Sequence, residues 1–142
     1  MKRVFVNEKW CLGCHLCEYN CAYANSGEEN MIRALKDKTI YPRIRIESDE
    51  KITYAVSCRH CTDPLCVKCC ISGAMHLENG AVCIDHDKCV GCFTCILVCP
   101  YGALAQDGNG AMQKCELCIK NSCGVPACVE GCPNKAIVYE ER

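Results

Sequence analysis

The chain has 142 residues, and 19 of them are cysteines, a share above the roughly 8–10% that signals a cysteine framework. Its 16 basic and 17 acidic residues give a net charge of −1, which excludes a polyanion-binding protein driven by bulk charge. With only two Phe and one Trp, apolar burial alone is too small to hold the fold together. Apolar runs are far shorter than the ~18 residues of a membrane span.

The N-terminal segment, residues 1–10, lacks an apolar stretch of signal-peptide type, so we expect no secretory signal and a cytoplasmic location. Disulfide-dense scaffolds belong to oxidising compartments, whereas the same cysteine density in an unexported chain indicates metal binding. The odd number of cysteines also prevents complete pairing within one chain. A disulfide framework is therefore disfavoured.

Short predicted strands alternate with four groups of cysteines. In chain order, the sequence predicts a strand ending at Val6, a β-hairpin from Arg43–Glu47 and Lys51–Val56, and strands at Met75–Leu77, Val82–Ile84, Leu104–Ala105 and Ile137–Tyr139. The hairpin prediction rests on alternation with period two, which places Arg43, Arg45 and Glu47 on one face. Strand, polar turn and cysteine loop repeat along the chain.

Two of the cysteine groups have the spacing C-x2-C-x2-C-x3-C: group 1 (Cys11, Cys14, Cys17, Cys21) and group 3 (Cys89, Cys92, Cys95, Cys99). In bacterial ferredoxins this spacing lets three cysteines hold one [4Fe–4S] cube while the fourth ligates the neighbouring cube. Gly13 and Gly91 lie inside these loops, where a glycine lets the backbone N–H groups approach the sulfurs. Zinc takes two separated C-x2-C pairs instead.

The other two groups keep the opening C-x2-C and the closing C-x3-C around a longer loop: group 2 (Cys58, Cys61, Cys66, Cys70) and group 4 (Cys115, Cys118, Cys128, Cys132). Four groups of four thiolates suffice for four cubes. For groups 2 and 4 taken alone, a zinc ribbon, in which the four cysteines bind one zinc ion, remains an alternative interpretation.

Three cysteines stay outside the groups: Cys69, Cys83 and Cys123. Cys69 competes with Cys70 as a ligand, and Cys123 competes with Cys128. The closing C-x3-C spacing favours Cys70, and the Pro-Ala-Cys-Val context favours Cys128. We expect Cys83 to be a small buried side chain of an apolar strand.

These motifs resemble the four-cluster electron-transfer subunits similar to the β subunits of the dimethyl sulfoxide reductase group, over residues 4–138. Within that group, the stretches at residues 58–61, 70–75, 88–92, 98–102 and 126–129 most resemble the iron–sulfur proteins partnered with nickel–iron carbon monoxide dehydrogenase. One departure is Ile71, which stands where many relatives have proline after the last cysteine of group 2.

The resemblance implies an α+β fold of two tandem bacterial 2[4Fe–4S] ferredoxin-like modules, the second inserted within the first, with a β-hairpin extension. The outer module would comprise residues 1–52 and 112–142, and the inner module residues 53–111. It also implies ligand exchange between groups, giving four cysteine sets that are named here. They are set A (Cys11, Cys14, Cys17, Cys132), set B (Cys21, Cys115, Cys118, Cys128), set C (Cys58, Cys61, Cys66, Cys99) and set D (Cys70, Cys89, Cys92, Cys95).

Other chemistry finds little support in the sequence. A Rieske centre replaces two cysteines by histidines, but no cysteine is missing beside His15 or His60, and His76 and His86 lie elsewhere. The chain has no phosphate-binding glycine loop and no nucleophile paired with an oriented base, so we expect no flavin, no nicotinamide and no catalytic site. A catalytic cube with an open iron is disfavoured because every group has four cysteines.

The resemblance implies that the chain carries single electrons between a catalytic partner and a redox acceptor. Carbon monoxide dehydrogenase is the leading partner, and a flavoprotein NAD(P) oxidoreductase or a hydrogenase is the acceptor. Aldehyde-, formate- or hydrogen-oxidising enzymes are the alternative partners, and a zinc-stabilised interaction module is the alternative from another class. We expect no nucleic acid partner and no membrane span, with association to a membrane-bound complex only through a partner.

Overall fold

The computed structural model describes residues 1–121 and 124–142. The elements in these residues are short and follow one another in the order β1 (Arg3–Val6), α1 (Leu16–Ala24), α2 (Met31–Leu35), β2 (Arg45–Ser48), β3 (Thr53–Val56), α3 (Leu65–Lys68), β4 (Met75–Glu78), β5 (Ala81–Ile84), α4 (Thr94–Val98), β6 (Ala105–Gln106), β7 (Met112–Gln113), α5 (Ala127–Glu130) and β8 (Ile137–Glu140). In this part of the chain, no helix is long and apolar enough to cross a membrane.

The strands form four antiparallel pairs. β1 pairs with β8, so the first and last strands of the chain lie side by side, with Val4 opposite Tyr139. The other pairs join neighbours in the chain: β2 with β3, β4 with β5, and β6 with β7. The strands predicted before group 1 and after groups 2, 3 and 4 are thereby confirmed, with boundaries that differ by only one or two residues.

Four of the helices carry cysteines, and they pack in pairs. α1 holds Cys17 and Cys21 and packs against α5, which holds Cys128. α3 holds Cys66 and packs against α4, which holds Cys95. Helix packing therefore brings group 1 to group 4, and group 2 to group 3.

The hydrophobic core is made largely of small side chains and of the cysteines themselves. The larger of two buried clusters contains six cysteines from groups 1, 2 and 4, the spare Cys83 and four alanines, with Ile44 and Leu117 among its few larger members. A core with so few large apolar residues provides limited stabilisation by burial. Clusters bound by the cysteines would add the missing stability, because metal-binding free energy becomes folding free energy.

The long segment between groups 1 and 2 contains the predicted hairpin and one further helix. β2 and β3 form the hairpin, but β2 begins at Arg45, so Arg43 precedes the strand and its guanidinium pairs instead with Glu116 at 2.9 Å. Helix α2 was not predicted. It begins after Asn30, whose side-chain oxygen accepts the N–H of Ile32 at 2.8 Å, and its five residues are too few to show a helical period.

Candidate iron-sulfur sites

The four cysteines of set A line one small cavity. Cys11, Cys14 and Cys17 come from the loop before α1 and from its first turn, and Cys132 follows α5. Apolar side chains of Leu12, Ile46 and Ile137 complete the walls. Three thiols from one loop and a fourth from a distant group thus face the same space, as ferredoxin ligation requires.

The four cysteines of set B line a second, separate cavity. Cys21 comes from the last half of α1, Cys128 from α5, and Cys115 and Cys118 from the loop after β7. The walls also include Arg43 and Glu116. Cys17 and Cys21 therefore lie on one helix but face different cavities.

The members of set C are close enough to repel one another when ionised. Burial, followed by the thiolates of Cys58 and Cys99, raises the pKa of Cys66. Burial also raises the pKa of Cys58, and the neighbouring Cys61 adds to this shift. Mutual repulsion among converging thiolates is relieved when a metal cluster shares their charge.

Set D is more exposed, and it includes a rival ligand. Hydrogen bonds from Thr94 lower the pKa of Cys92, and the Cys70 thiolate opposes that shift. Burial raises the pKa of Cys95 to about 11, and the thiolates of Cys69 and Cys92 contribute. Cys69 therefore lies near the cysteines of set D, which agrees with the sequence analysis, where Cys69 and Cys70 were rival ligands. Its thiol, however, donates to the Cys66 carbonyl at 3.5 Å, whereas the Cys70 sulfur accepts the N–H of Met75 at 3.4 Å.

Left-handed backbone conformations recur inside the cysteine loops. Gly13 and His15 both have positive φ in group 1, and Gly91 and Phe93 repeat this pattern in group 3. In groups 2 and 4, His60 and Leu117 also have positive φ. Alternating right- and left-handed residues turn successive N–H groups toward one concave side and form the anion-binding nests of many Fe–S sites.

Some of these N–H groups already reach the cysteine sulfurs. The N–H of His60 donates to Cys58 and the N–H of Leu117 donates to Cys115, each at 3.4 Å. The N–H of Arg43 donates to Cys21 at 3.2 Å. Hydrogen bonds of this kind stabilise thiolates and set the potentials of Fe–S clusters.

One buried ring nitrogen fits a group with sulfur acceptors. His60 is fully buried, and its Nδ1 accepts the N–H of Val82 at 3.1 Å. Burial, with the charges of Lys114 and Arg3, lowers the pKa of His60 to about 3, so the ring is neutral and carries its proton on Nε2. Among the described residues Nε2 has no hydrogen-bond partner. A cube beside Cys58 and Cys61 would supply the missing acceptor, so the residues fit the group.

Buried thiols of the cavities are held in the protonated form when no metal is bound. Burial raises the pKa of both Cys17 and Cys115 to about 12, and it also raises the pKa of Cys21 and Cys128. Iron binding must displace these protons, because the thiolate is the ligand. In the described residues, no three donor side chains converge closely enough for a single metal ion. A cube is wider than one ion, so its ligands stand further apart.

The structure also locates the spare cysteines and the residues that sequence reasoning missed. Cys83 is 2% exposed in β5, as expected for a small buried side chain. Cys69 is half-buried after α3, and Cys123 lies outside the described residues.

The sequence pattern does not point to the buried Lys114. It precedes Cys115 as Lys88 precedes Cys89, but Lys88 is exposed, and the sequence does not distinguish the two.

Comparison with known proteins agrees with this chemistry. Residues 50–142 match the model of the 4Fe-4S dicluster domain family. The chain belongs to this family. An iron-sulfur protein of Rhodospirillum rubrum is 37% identical, over 94% of this chain and 79% of its own length. The electron transport protein HydN of Escherichia coli is 32% identical, over 93% of this chain and 83% of its own.

Longer proteins and a solved structure share the same unit. The chain is 33% identical to the putative oxidoreductase AegA of Escherichia coli over 94% of its residues, but it spans only 21% of that protein. The active site complex BamBC of benzoyl coenzyme A reductase has a TM-score of 0.52 at 20% identity, over 100% of this chain and 80% of the other, which shows a shared fold. The protein is therefore a ferredoxin-like iron–sulfur protein that binds [4Fe–4S] clusters, and relatives of comparable length are named iron-sulfur and electron transport proteins.

Proposed function

We propose that the chain is an electron-transfer protein with four [4Fe–4S] cubes, which carries electrons between a catalytic oxidoreductase and a redox acceptor. Sets A, B, C and D would each hold one [4Fe–4S] cluster, called here cubes A to D. Cubes A and B would lie in an outer module, residues 1–52 and 112–142, and cubes C and D in an inserted module, residues 53–111. The observation that carries the proposal is that, among the cysteines that the structure describes, the exposed ones belong to sets A and D.

The linear order follows from shared elements. Sets A and B share α1 and α5, so cubes A and B would be neighbours; sets C and D share α3 and α4 in the same way. Sets B and C meet through Cys115 and Cys58, whose thiolates repel each other. The order A, B, C, D places cubes B and C inside the chain of cubes.

The two terminal cubes would then be the points of electron entry and exit. Of the described cysteines in the four sets, only Cys14 of set A and Cys92 of set D are exposed. Exposed apolar side chains flank both ends: Trp10, Leu12 and Leu16 near set A, and Val90, Phe93 and Leu97 near set D. Apolar side chains around an exposed cluster loop are suited to partner docking.

The partner is proposed from sequence resemblance. Carbon monoxide dehydrogenase is the first candidate for the catalytic partner, with a flavoprotein NAD(P) oxidoreductase or a hydrogenase as the acceptor. Aldehyde-, formate- and hydrogen-oxidising enzymes are the second choice. The chain itself would supply one-electron transfer between cubes, with no bond formed or broken.

Two measurements test this function. Anaerobically purified protein should contain about 16 iron and as many acid-labile sulfides, the arithmetic of four cubes of four irons each. Several zinc ions with no sulfide would instead support a zinc-stabilised interaction module and overturn the proposal. Carbon monoxide with catalytic amounts of nickel–iron carbon monoxide dehydrogenase should then reduce the cubes. Reduction by dithionite but not by this enzyme would remove it as the partner.

A further inference from the structure

Lys114 is a fully buried lysine, 0% exposed, directly before the first cysteine of group 4. Its ammonium donates to the carbonyl of Val82 and to the carbonyl of Cys115, the latter at 2.6 Å. Lysine is almost never fully buried unless an anion pairs with it. Among the described residues, no carboxylate forms an ion pair with Lys114.

The groups that face Lys114 are cysteine sulfurs of two different sets, which would become anionic thiolates when a cube binds. Although burial raises the pKa of Cys58, the Lys114 charge and its hydrogen bond lower it. The same charge opposes the effect of burial on the pKa of Cys66, also of set C, and of Cys115, of set B. Lys114 thus lies where the cysteines of sets B and C approach each other.

A cube with four thiolate ligands carries a net negative charge, and reduction makes that charge more negative. Two such cubes side by side repel, and this repulsion lowers the potential of each one when the other is reduced. In a buried site the effect of a nearby charge is stronger than in water, because the effective dielectric constant is lower.

We propose that the Lys114 ammonium is a fixed countercharge between cubes B and C that raises the reduction potential of both. It also weakens the repulsion that an electron meets when it passes from one module to the other. In that step one electron leaves the reduced cube and arrives at the oxidised cube, and no proton or bond moves. The inference rests on the four-cube function proposed above.

The test is an anaerobic redox titration of the holoprotein followed by electron paramagnetic resonance. Lys114→Met removes the charge and keeps a side chain of similar length. We expect two of the four midpoint potentials to become more negative, with unchanged iron content. Lys120→Met is the matched control, because Lys120 belongs to the same loop but is exposed. It should move no potential.

Cys14→Ser and Cys92→Ser identify the spectra of cubes A and D, because each changes a ligand of one terminal cube. The two potentials that move in Lys114→Met should belong to neither. Unchanged potentials in all four cubes, or an equal shift of all four, would overturn the inference and leave the four-cube function intact. A wild-type protein without iron and sulfide would overturn that function instead.

Loss of iron from Lys114→Met is resolved by two further variants. Lys114→Arg keeps the charge, and Lys114→Gln keeps a hydrogen-bond donor without it. Wild-type potentials in the arginine variant, with lowered potentials in the glutamine variant, would support the countercharge. Iron loss in all three variants would overturn it, because Lys114 would then have only a structural role.

Discussion

Sets B and D would use the same ligand chemistry, but the surroundings of their cysteines are opposite. In set B, Cys21, Cys115 and Cys128 are buried and line one cavity. In set D only Cys95 is buried and Cys92 is exposed. Burial raises the pKa of Cys115 to about 12, whereas hydrogen bonds from Thr94 lower the pKa of Cys92. Under the proposed function, this difference would give one chain both an interior cube and a terminal cube that a partner could reach.

The helices explain why the two sets differ. Set B lies between α1, α5 and the segment before the hairpin, where Arg43 contributes an N–H to Cys21 and an ion pair to Glu116. Glu116 also accepts the N–H of Ile84 at 2.9 Å, which ties the loop of group 4 to β5. Set D lies beside α3 and α4, and Leu97 of α4 is 84% exposed there.

The largest expected effect comes from breaking the ligand exchange that separates set A from set B. Cys21→Ser should damage the cube of Cys115, Cys118 and Cys128, because Cys21 lines their cavity. Conversion of that cube toward a three-iron form, or a shift of its potential, would be seen by electron paramagnetic resonance. The cube of Cys11, Cys14 and Cys17 should be spared.

Cys14→Ser is the matched comparison for this experiment, because it changes a ligand of cube A in the same loop. Cys132→Ser should reproduce the Cys14→Ser spectrum, although it lies in group 4. If Cys21→Ser and Cys14→Ser damage the same cube, each group binds its own cluster, and the inserted two-module arrangement is wrong.

The comparison of sets B and D also predicts the order in which the cubes of the wild-type holoprotein are damaged by oxidants. Oxidants from solution should reach cubes A and D first, because Cys14 and Cys92 are the exposed members of the four proposed sets. Stepwise addition of ferricyanide, with three-iron signals recorded after each step, should convert these two cubes several times faster than cubes B and C. Equal rates for all four cubes would contradict the interior position given to sets B and C.

Much of this arrangement could be predicted from the sequence, because cysteine spacing is dictated by the geometry of a cube. The opening C-x2-C and closing C-x3-C define the four groups, whose role as ligands stays a prediction. The apolar strands predicted after the closing cysteines of groups 2, 3 and 4 are confirmed. The surroundings of the clusters could not be predicted. The burial of Lys114 and the exposure of Lys88 depend on which distant segment packs over each loop. The residues next to each lysine in the sequence do not indicate that packing.

The positive φ of Gly91 gives a smaller effect that can be measured as stability. Gly91→Ala should cost about 1–2 kcal/mol from the left-handed backbone. The total loss of stability should exceed this backbone cost, because the added Cβ would lie only 3.0 Å from the Gly110 carbonyl oxygen. Thermal unfolding of the anaerobic holoprotein is the measurement. Gly27→Ala is the control, since Gly27 also has positive φ but an added Cβ there meets nothing within 4 Å. A loss no greater at Gly91 than at Gly27 would show that the close approach is irrelevant.

The smallest effect is expected from changing Cys83. This change tests whether a cysteine outside the four proposed sets is a ligand. Cys83 lies opposite His76 in the β4–β5 pair, and burial raises the pKa of its thiol, aided by the charge of Glu116. Serine is close in size, so Cys83→Ser should retain about 16 iron per chain, as four cubes of four require. The variant should lose only the modest free energy of placing a hydroxyl in an apolar site. Cys95→Ser, a buried ligand of set D, is the matched comparison and should alter one cube. Loss of four irons from Cys83→Ser would mean that a thiol assigned to packing is a ligand, and that one member of the sixteen is wrongly included.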